Sequence, residues 1–197
     1  MKFLVVGSTG LIGSYVAKTL SKHGTVIGVS RTTQISVDVK DPASIKAMYE
    51  KVGKVDAVAS CIGKVVYKQI TEITYEDYLN SFKDKALGQV ELVRAGINYL
   101  NDGGSFTLMT GVLARDPIPT ASASALTNGA IESFTLAAAI DLPRGLRINT
   151  VSPNVLVEAT SYHASFPGFH QVTAQSVADA YVKSILGKQT GQIYKLD

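Results

Sequence analysis

The sequence has a single cysteine, Cys61, among its 197 residues. Two cysteines are needed for an intrachain disulfide, so no disulfide framework can hold this chain together. Proteins of the reducing cytosol rarely carry disulfides, and the cysteine content therefore favours a cytoplasmic protein. The opening MKFLVVGSTG has one basic residue and a short apolar run without the features of a signal peptide, so we interpret that run as a buried first strand.

Long apolar runs and an excess of one charge are also absent. The longest apolar region, residues 130–142, is interrupted by Glu132, Ser133, Thr135 and Asp141. A membrane-spanning helix needs about 20 apolar residues in a row, so we expect no membrane partner. The net charge is only +3, and no Lys/Arg run with interleaved aromatic residues occurs, which argues against nucleic acid as a partner.

Short β-branched segments alternate with helical segments along the whole chain. The predicted strands are Phe3–Val6, Val26–Val29, Ser36–Val39, Asp56–Ser60, Phe106–Thr110, Arg147–Val151 and a short one near Ile193. Strands separated by helices need right-handed crossovers, which produce a parallel sheet covered by helices on both faces. No linker or repeat divides the chain. We therefore predict an α/β fold, a doubly wound parallel sheet of about seven strands in one domain over residues 1–197.

Helix starts are marked by side chains that can accept hydrogen bonds from free backbone N–H groups. Asp41 followed by Pro42 favours a helix start at that point. Thr74 with Asp77, and residues 176–179 with the same pattern, resemble capping boxes and predict two further helix starts.

Two of the predicted helices suggest an assembly. Residues 75–99 carry an apolar stripe at helical spacing, and residues 123–142 are small and apolar nearly all round. Such a helix is typically covered on two sides, here by the sheet and by the same helix of a second subunit. We therefore expect a homo-oligomer, a dimer or tetramer, in which both helices pair with their symmetry mates.

The first predicted strand runs directly into the turn GSTGLIG, which is followed by a helix. Glycines at this spacing permit a tight turn, close approach of the backbone to a pyrophosphate, and close packing of helix and strand. The free N–H groups at the helix start also favour phosphate. This context within a βαβ unit predicts dinucleotide binding in a Rossmann-like fold, rather than a purely structural turn. The predicted phosphate-binding residues are Gly7, Ser8, Thr9, Gly10, Leu11, Ile12 and Gly13.

The second predicted strand ends in an arginine, where a site for NAD usually has an acidic residue that binds the ribose 2′-hydroxyl. Arg31 lies there between Ser30 and Thr32. A guanidinium and two hydroxyl groups suit a 2′-phosphate, so we predict NADP(H) as the cofactor. The alternatives are an arginine that meets only solvent, and a site that binds another phosphorylated ligand.

Further segments resemble the short-chain dehydrogenase/reductase family over nearly the whole chain. The most specific is PRGLRINTVSPNVL, which resembles the family's Arg-Val-Asn-x-Val-x-Pro-Gly segment, with Asn154 where glycine is usual. VDVKD, SCIG, GSFTLMTGV and TGQIYKLD resemble the third-strand end, the turn after the fourth strand, the fifth strand and the last strand. The resemblance implies an oxidoreductase that acts on a small carbonyl or alcohol substrate. It also implies cofactor contacts at Asp38, Val39, Cys61, Ile62, Gly63, Pro153 and Val155, with Asp38 facing the adenine.

The family's catalytic pair, Tyr-x-x-x-Lys, is missing from this sequence. In the family the Tyr exchanges a proton with the substrate oxygen, and the nearby Lys brings the phenol pKa toward working pH. The matching positions here are Ser124 and Asn128, and no tyrosine lies between Tyr99 and Tyr162. A small shift of the alignment therefore cannot restore the Tyr.

The family's other two catalytic residues, a Ser and an Asn, are also replaced. The Ser position falls on Gly111, with Thr110 just before it, and the Asn position falls on Lys85. A desolvated lysine can act as an acid or base or hold the ribose, although Lys85 could equally reach solvent. The candidate catalytic residues are Lys85, Thr110, Ser124 and Asn128.

Three other residues are weaker candidates. Tyr162 and His163 fall in a short lid segment and could supply an acid from above the site. Cys61 is better interpreted as a small buried residue than as a nucleophile, because no His or basic pair adjoins it in sequence.

Two functions from different classes remain open at this point. The first is an NADP(H)-dependent oxidoreductase with a non-standard proton-transfer set, since hydride transfer itself needs only a correctly placed cofactor. The second is a catalytically inactive NADP(H)-binding sensor or interaction protein on the same fold.

Overall fold

The computed structural model describes residues 1–197, which form a six-stranded parallel sheet covered by helices on both faces. The strands are β1 (Lys2–Val6), β2 (Thr25–Val29), β3 (Val55–Ser60), β4 (Leu100–Met109), β5 (Arg147–Pro153) and β6 (Ile193–Leu196). The main helices are α1 (Leu11–Leu20), α2 (Pro42–Val52), α3 (Tyr75–Ser81), α4 (Gly88–Gly96), α5 (Ser122–Asp141) and α6 (Ala174–Leu186). The strand order is β2-β1-β3-β4-β5-β6, and the predicted α/β class is confirmed.

The sheet separates two apolar clusters because neighbouring side chains of a strand point to opposite faces. Leu4 and Val6 of β1 belong to the cluster under α2, α4 and α5, whereas Phe3 and Val5 belong to the cluster under α1 and α6. All four of these side chains are fully buried. Burial on both faces explains why β1 is a continuous apolar run rather than an alternating pattern. None of the helices combines the length and the apolar character that a bilayer crossing requires.

The predicted strand at Ser36–Val39 is wrong, so the sheet has six strands rather than about seven. This segment makes one isolated parallel bridge, between Ser30 and Ser36, and then turns into α2. A parallel neighbour for β2 would need a crossover of about a dozen residues. Residues 31–35 are too few to provide one.

The predicted helix over residues 75–99 is not one regular helix. It is α3, then a π-helical turn over Phe82–Leu87, then α4, then a 3₁₀ turn over Ile97–Tyr99. A π-helical turn holds an extra residue, so it shifts the faces of the helix, and Lys85 is buried within it. Such turns are rare and are frequent at functional sites. The helix predicted over 123–142 agrees with α5 to within one residue at each end.

Two of the three predicted helix starts are confirmed. Asp41 Oδ1 accepts a hydrogen bond from Ala43 N at 2.9 Å, and Thr74 forms a reciprocal capping box with Asp77. The third is wrong in position, because α6 begins at Ala174. Its cap is Thr173, whose hydroxyl accepts from Ser176 N at 3.1 Å, so Ser176 is already inside the helix.

Candidate functional site

The carboxyl ends of the central strands open into two joined cavities, as expected at the crevice of a doubly wound sheet. The first, of about 320 Å³, lies beside the glycine turn after β1 and the end of β2, and we call it the phosphate-side cavity. The second, of about 270 Å³, lies between β4, β5, the start of α5 and the 3₁₀ turn at Thr160–Ser165, and we call it the inner cavity. The two cavities share Cys61, Ile62 and Gly63 after β3. One elongated ligand could therefore occupy both.

The glycine turn is shaped by contacts too close for side chains. Gly7 has a φ of +86°, and a Cβ placed on it would lie 2.6 Å from the Cys61 carbonyl oxygen. A Cβ on Gly13 would lie 2.0 Å from the Gly7 carbonyl oxygen. Gly10 caps α1 without a side-chain hydrogen bond, so the first N–H groups of the helix remain free for a ligand. These features fit a bound phosphate group.

The far end of the phosphate-side cavity is lined by Arg31, whose guanidinium takes part in none of the ion pairs of the structure. The hydroxyl groups of Ser30 and Thr32 lie 3.3 Å apart beside it. Lys40 and Lys64 also line this cavity, and sequence reasoning missed both. No motif distinguishes these two lysines from other surface lysines, so only the folded chain shows that they face the cavity.

Most predicted cofactor-binding residues lie along the two cavities. The phosphate-side cavity is lined by Gly7, Thr9, Gly10, Ser30, Arg31, Thr32, Asp38, Val39, Cys61, Ile62 and Gly63. The inner cavity is lined by Ile12, Pro153 and Val155, together with all four candidate catalytic residues. Ser8, Leu11 and Gly13 line neither cavity, and the Ser8 hydroxyl points back to Val29 O at 3.4 Å.

Lys85 lies inside the protein at the wall of the inner cavity and is only 9% exposed. Its aliphatic stem packs against Gly63, where a Cβ would come within 2.5 Å of Lys85 Cγ. Burial lowers the pKa of Lys85 from 10.5 to about 8, because no nearby carboxylate compensates for lost solvation. The lysine therefore does not reach freely into solvent, and it changes charge near working pH.

A buried glutamine holds this lysine at the end of β4. Gln89 Nε2 donates to Lys85 O at 3.1 Å and to Met109 O at 2.9 Å. Gln89 Oε1 accepts from Met109 N at 2.8 Å. The π-helical turn and the strand end beside Thr110 are thereby fixed relative to each other.

The candidates on α5 form a buried polar pair. Asn128 Nδ2 lies 3.4 Å from Ser124 Oγ and 3.5 Å from Gly111 O. Asn128 Oδ1 is buried and has no hydrogen-bond partner in the protein, although the residue lines the inner cavity. Buried polar atoms rarely stay unpaired, but this oxygen has almost no accessible surface and does not open directly onto the cavity.

The Thr110 hydroxyl is engaged elsewhere, because it donates to Glu132 Oε1 at 3.0 Å. The Ser152 hydroxyl donates to the same oxygen at 2.9 Å. Cys61 lies where the cavities meet, and burial raises the pKa of its thiol to about 12. Its sulfur therefore stays protonated, as expected of a packed residue rather than a nucleophile.

The structure brings a phenol into the inner cavity that the sequence reasoning missed. Tyr67 follows β3 in a segment without regular structure and lines the inner cavity. Burial raises the pKa of Tyr67 by more than the Ser124 hydroxyl lowers it. Tyr162 also lines the cavity, and the centroid of its ring lies 6.4 Å from that of Tyr67. The ring of His163 instead forms a hydrogen bond with Leu156 O, at 2.9 Å.

Several proteins and one family with similar sequences or structures are named as reductases or dehydrogenases. The sequence model described as Enoyl-(Acyl carrier protein) reductase matches residues 10–191. The protein lin1944 from Listeria innocua shares 45% identity, with a TM-score of 0.98 and 100% of both chains covered. The crystal structure of a small-chain dehydrogenase in complex with NADPH gives 27% identity and a TM-score of 0.89, covering 100% of this chain and 96% of that one.

A curated relative is longer than this chain. The tetrahydroxynaphthalene reductase of Pyricularia oryzae is 26% identical over 187 residues. The alignment covers 82% of this chain and 66% of that reductase, so the chain spans about two thirds of its relative's length.

The buried amine of Lys85 leads to a prediction about stability and pH. Below the folded-state pKa of about 8, the folded protein holds a desolvated charge, which lowers its free energy of unfolding. As pH rises from about 8 toward 10.5, Lys85 loses its proton in the folded state before it does so in the unfolded chain, so this destabilisation disappears. We expect Lys85→Met to be more stable than the wild type at about pH 7, and this advantage to shrink by up to about 3 kcal/mol by about pH 10. Urea unfolding at both pH values measures the difference.

Lys83→Met is the matched control for this measurement, because Lys83 is an exposed lysine of the same π-helical turn. Its stability difference from the wild type should stay constant over this pH range. A constant difference for Lys85→Met as well would show that Lys85 is not a buried amine.

Proposed function

This chain belongs to the short-chain dehydrogenase/reductase family, and on that basis we propose that it is an NADP(H)-dependent oxidoreductase acting on a small carbonyl or alcohol substrate. One observation carries the proposal: a buried lysine without an ion-pair partner, Lys85, lines a cavity that joins directly onto a glycine phosphate cradle. Perturbed titratable groups in a cleft are typical of catalytic sites. A merely structural lysine would be expected to carry a partner or reach solvent.

The cofactor would lie along both cavities. The glycine turn and the free N–H groups of α1 would hold the pyrophosphate, and Arg31 with Ser30 and Thr32 would hold a 2′-phosphate. The similar dehydrogenase with bound NADPH supports this choice of cofactor. When bound, the nicotinamide ring supplies or accepts the hydride.

The protein's own groups would act on the substrate oxygen and the ribose. Negative charge grows on a carbonyl oxygen during reduction, and the ammonium of Lys85 would stabilise it in the water-poor inner cavity. Asn128, which lines the inner cavity, would help to position the ribose. Ser124 and Thr110 are the other two proposed catalytic residues. The Thr110 hydroxyl already donates to Glu132, but its oxygen can still accept a hydrogen bond.

For assembly we propose a cytoplasmic homo-oligomer that uses α5 and the α3–α4 region. Large apolar side chains on these elements remain exposed in the single chain, among them Leu126, Leu136 and Ile140 of α5, and Leu87. Ile140 is 91% exposed, and an interface on α5 would remove this apolar surface from water. Light scattering should give at least a dimer, and a monomer at working concentration would exclude this interface.

Cofactor choice can be tested through Arg31. A fluorescence titration of the cofactor-free protein should show NADPH binding at least about 10-fold more tightly than NADH, because charge-assisted hydrogen bonds to the 2′-phosphate are lost with NADH. Arg31→Asp should abolish or reverse this preference. Arg94→Ala is the control, because Arg94 pairs with Glu91 on the surface of α4, and its preference should be that of the wild type. An unchanged preference in Arg31→Asp would rule out this role.

Catalysis can be tested by NADPH consumption with a panel of small ketones, aldehydes, α-diketones and quinones. We expect multiple turnover by the wild type with at least one compound. Lys85→Ala should lower kcat by about 100-fold or more, whereas Lys83→Ala should not. No turnover with any compound, despite tight NADPH binding, would favour a non-catalytic NADP(H)-binding protein instead.

A further inference from the structure

The inner cavity contains a phenol that comes from a segment outside α5. Tyr67 lines this cavity together with Ser124 of α5, which is 2% exposed. The side chain of Tyr67 is partly open, with the residue 40% exposed. The phenol therefore lies among the polar groups of the cavity and also has access to water.

The polar pair on α5 lines the same cavity as this phenol. Asn128 Nδ2 can donate to Ser124 Oγ, and it lies four residues further along the same helix. When Ser124 Oγ accepts this hydrogen bond, its own proton is free to point into the cavity. A hydrogen bond from Ser124 to the Tyr67 oxygen would favour the phenolate, against burial, which is the larger effect and raises the pKa of Tyr67.

The segment that carries Tyr67 is tied down on both sides of the residue. Val66 N donates to Ser81 Oγ at 3.1 Å, and Lys68 N donates to Thr120 O at 3.1 Å. Lys68 Nζ also pairs with Asp77 at 2.8 Å. These bonds anchor the segment to the end of α3 and to the residues before α5, so the phenol position is built into the fold.

We propose that Tyr67 is the proton donor to the substrate oxygen, and that Ser124 and Asn128 are positioning residues that hold its phenol for this step. This inference rests on the proposed oxidoreductase function.

The step balances with the hydride that the proposed cofactor supplies. Hydride transfer breaks a C–H bond of NADPH, which is oxidised to NADP⁺, forms the new C–H bond at the carbonyl carbon and moves the π electron pair onto oxygen. Tyr67 then breaks its O–H bond and gives that proton to the oxygen, which yields the alcohol. The phenolate left behind accepts a hydrogen bond from Ser124 and regains a proton from water at its exposed edge.

The first test compares Tyr67→Phe with the wild type in NADPH-dependent reduction of the same carbonyl panel. The substitution removes one oxygen and keeps the ring, so kcat should fall by about 100-fold or more while NADPH affinity stays unchanged. Tyr75→Phe is the control, because Tyr75 is 81% exposed at the start of α3, and it should retain wild-type kcat. Tyr162→Phe tests whether the other phenol of the cavity is the proton donor instead.

Outcomes of this test separate the two proposals. Turnover by the wild type with an equal kcat in Tyr67→Phe would overturn the role of Tyr67 and leave the oxidoreductase proposal standing. A loss confined to Tyr162→Phe would assign the proton to the lid and likewise overturn it. No turnover by the wild type would overturn the proposed function, and the role of Tyr67 with it.

A second measurement needs no substrate. Tyrosinate absorbance is followed against pH for the wild type and for Tyr67→Phe, and the difference between the curves isolates Tyr67 among the nine tyrosines. Repeating the pair in a Ser124→Ala background should shift the Tyr67 titration to higher pH, because the donor to the phenolate is lost. An unshifted titration would show that Ser124 does not hold the phenol.

Discussion

The close approach of α1 to the end of β1 is the contact on which the rest of the site depends. A single methyl group on Gly13 would overlap the Gly7 carbonyl oxygen, and one on Gly7 would overlap the Cys61 carbonyl. The turn, the first helix and the end of β3 are thus held in mutual backbone contact, with no space for side chains. This arrangement both opens the N-terminus of α1 toward a ligand and fixes the position of the segment that both cavities share.

The inner cavity depends on a different constraint, the burial of an amine without a counterion. Burying such a charge destabilises the folded state, and proteins retain this arrangement mostly where it serves a function. Here a rare π-helical turn directs Lys85 inward, Gly63 leaves room for its stem, and Gln89 ties the turn to β4. The turn, Gly63 and Gln89 all position the side chain of Lys85, which supports a role for Lys85 in acting on a ligand.

α5 contains neither a tyrosine nor a lysine, and other elements bring both residue types to the inner cavity. α5 contributes the hydroxyl of Ser124 and the amide of Asn128, whereas Tyr67 comes from the segment after β3 and Lys85 from the π-helical turn. Groups of the same chemical types therefore face one cavity from different elements. Catalytic geometry requires groups at suitable distances from the reacting atoms, whichever element supplies them.

The sequence by itself determined the sheet-and-helix class, the glycine cradle, the arginine at the end of β2 and the loss of the Tyr-x-x-x-Lys pair. These features are local, because residue periodicity, turn chemistry and short-range spacing specify them directly. The strand expected at Ser36–Val39 did not form, because a parallel neighbour of β2 needs a longer crossover than residues 31–35 provide. The β-branched residues of this segment do not indicate crossover length. Only the tertiary structure showed the π-helical turn, the burial of Lys85 and the placement of Tyr67 and Ser124 in one cavity. Contacts between segments distant in the chain arise from packing around a shared core, and no pattern within either segment specifies them.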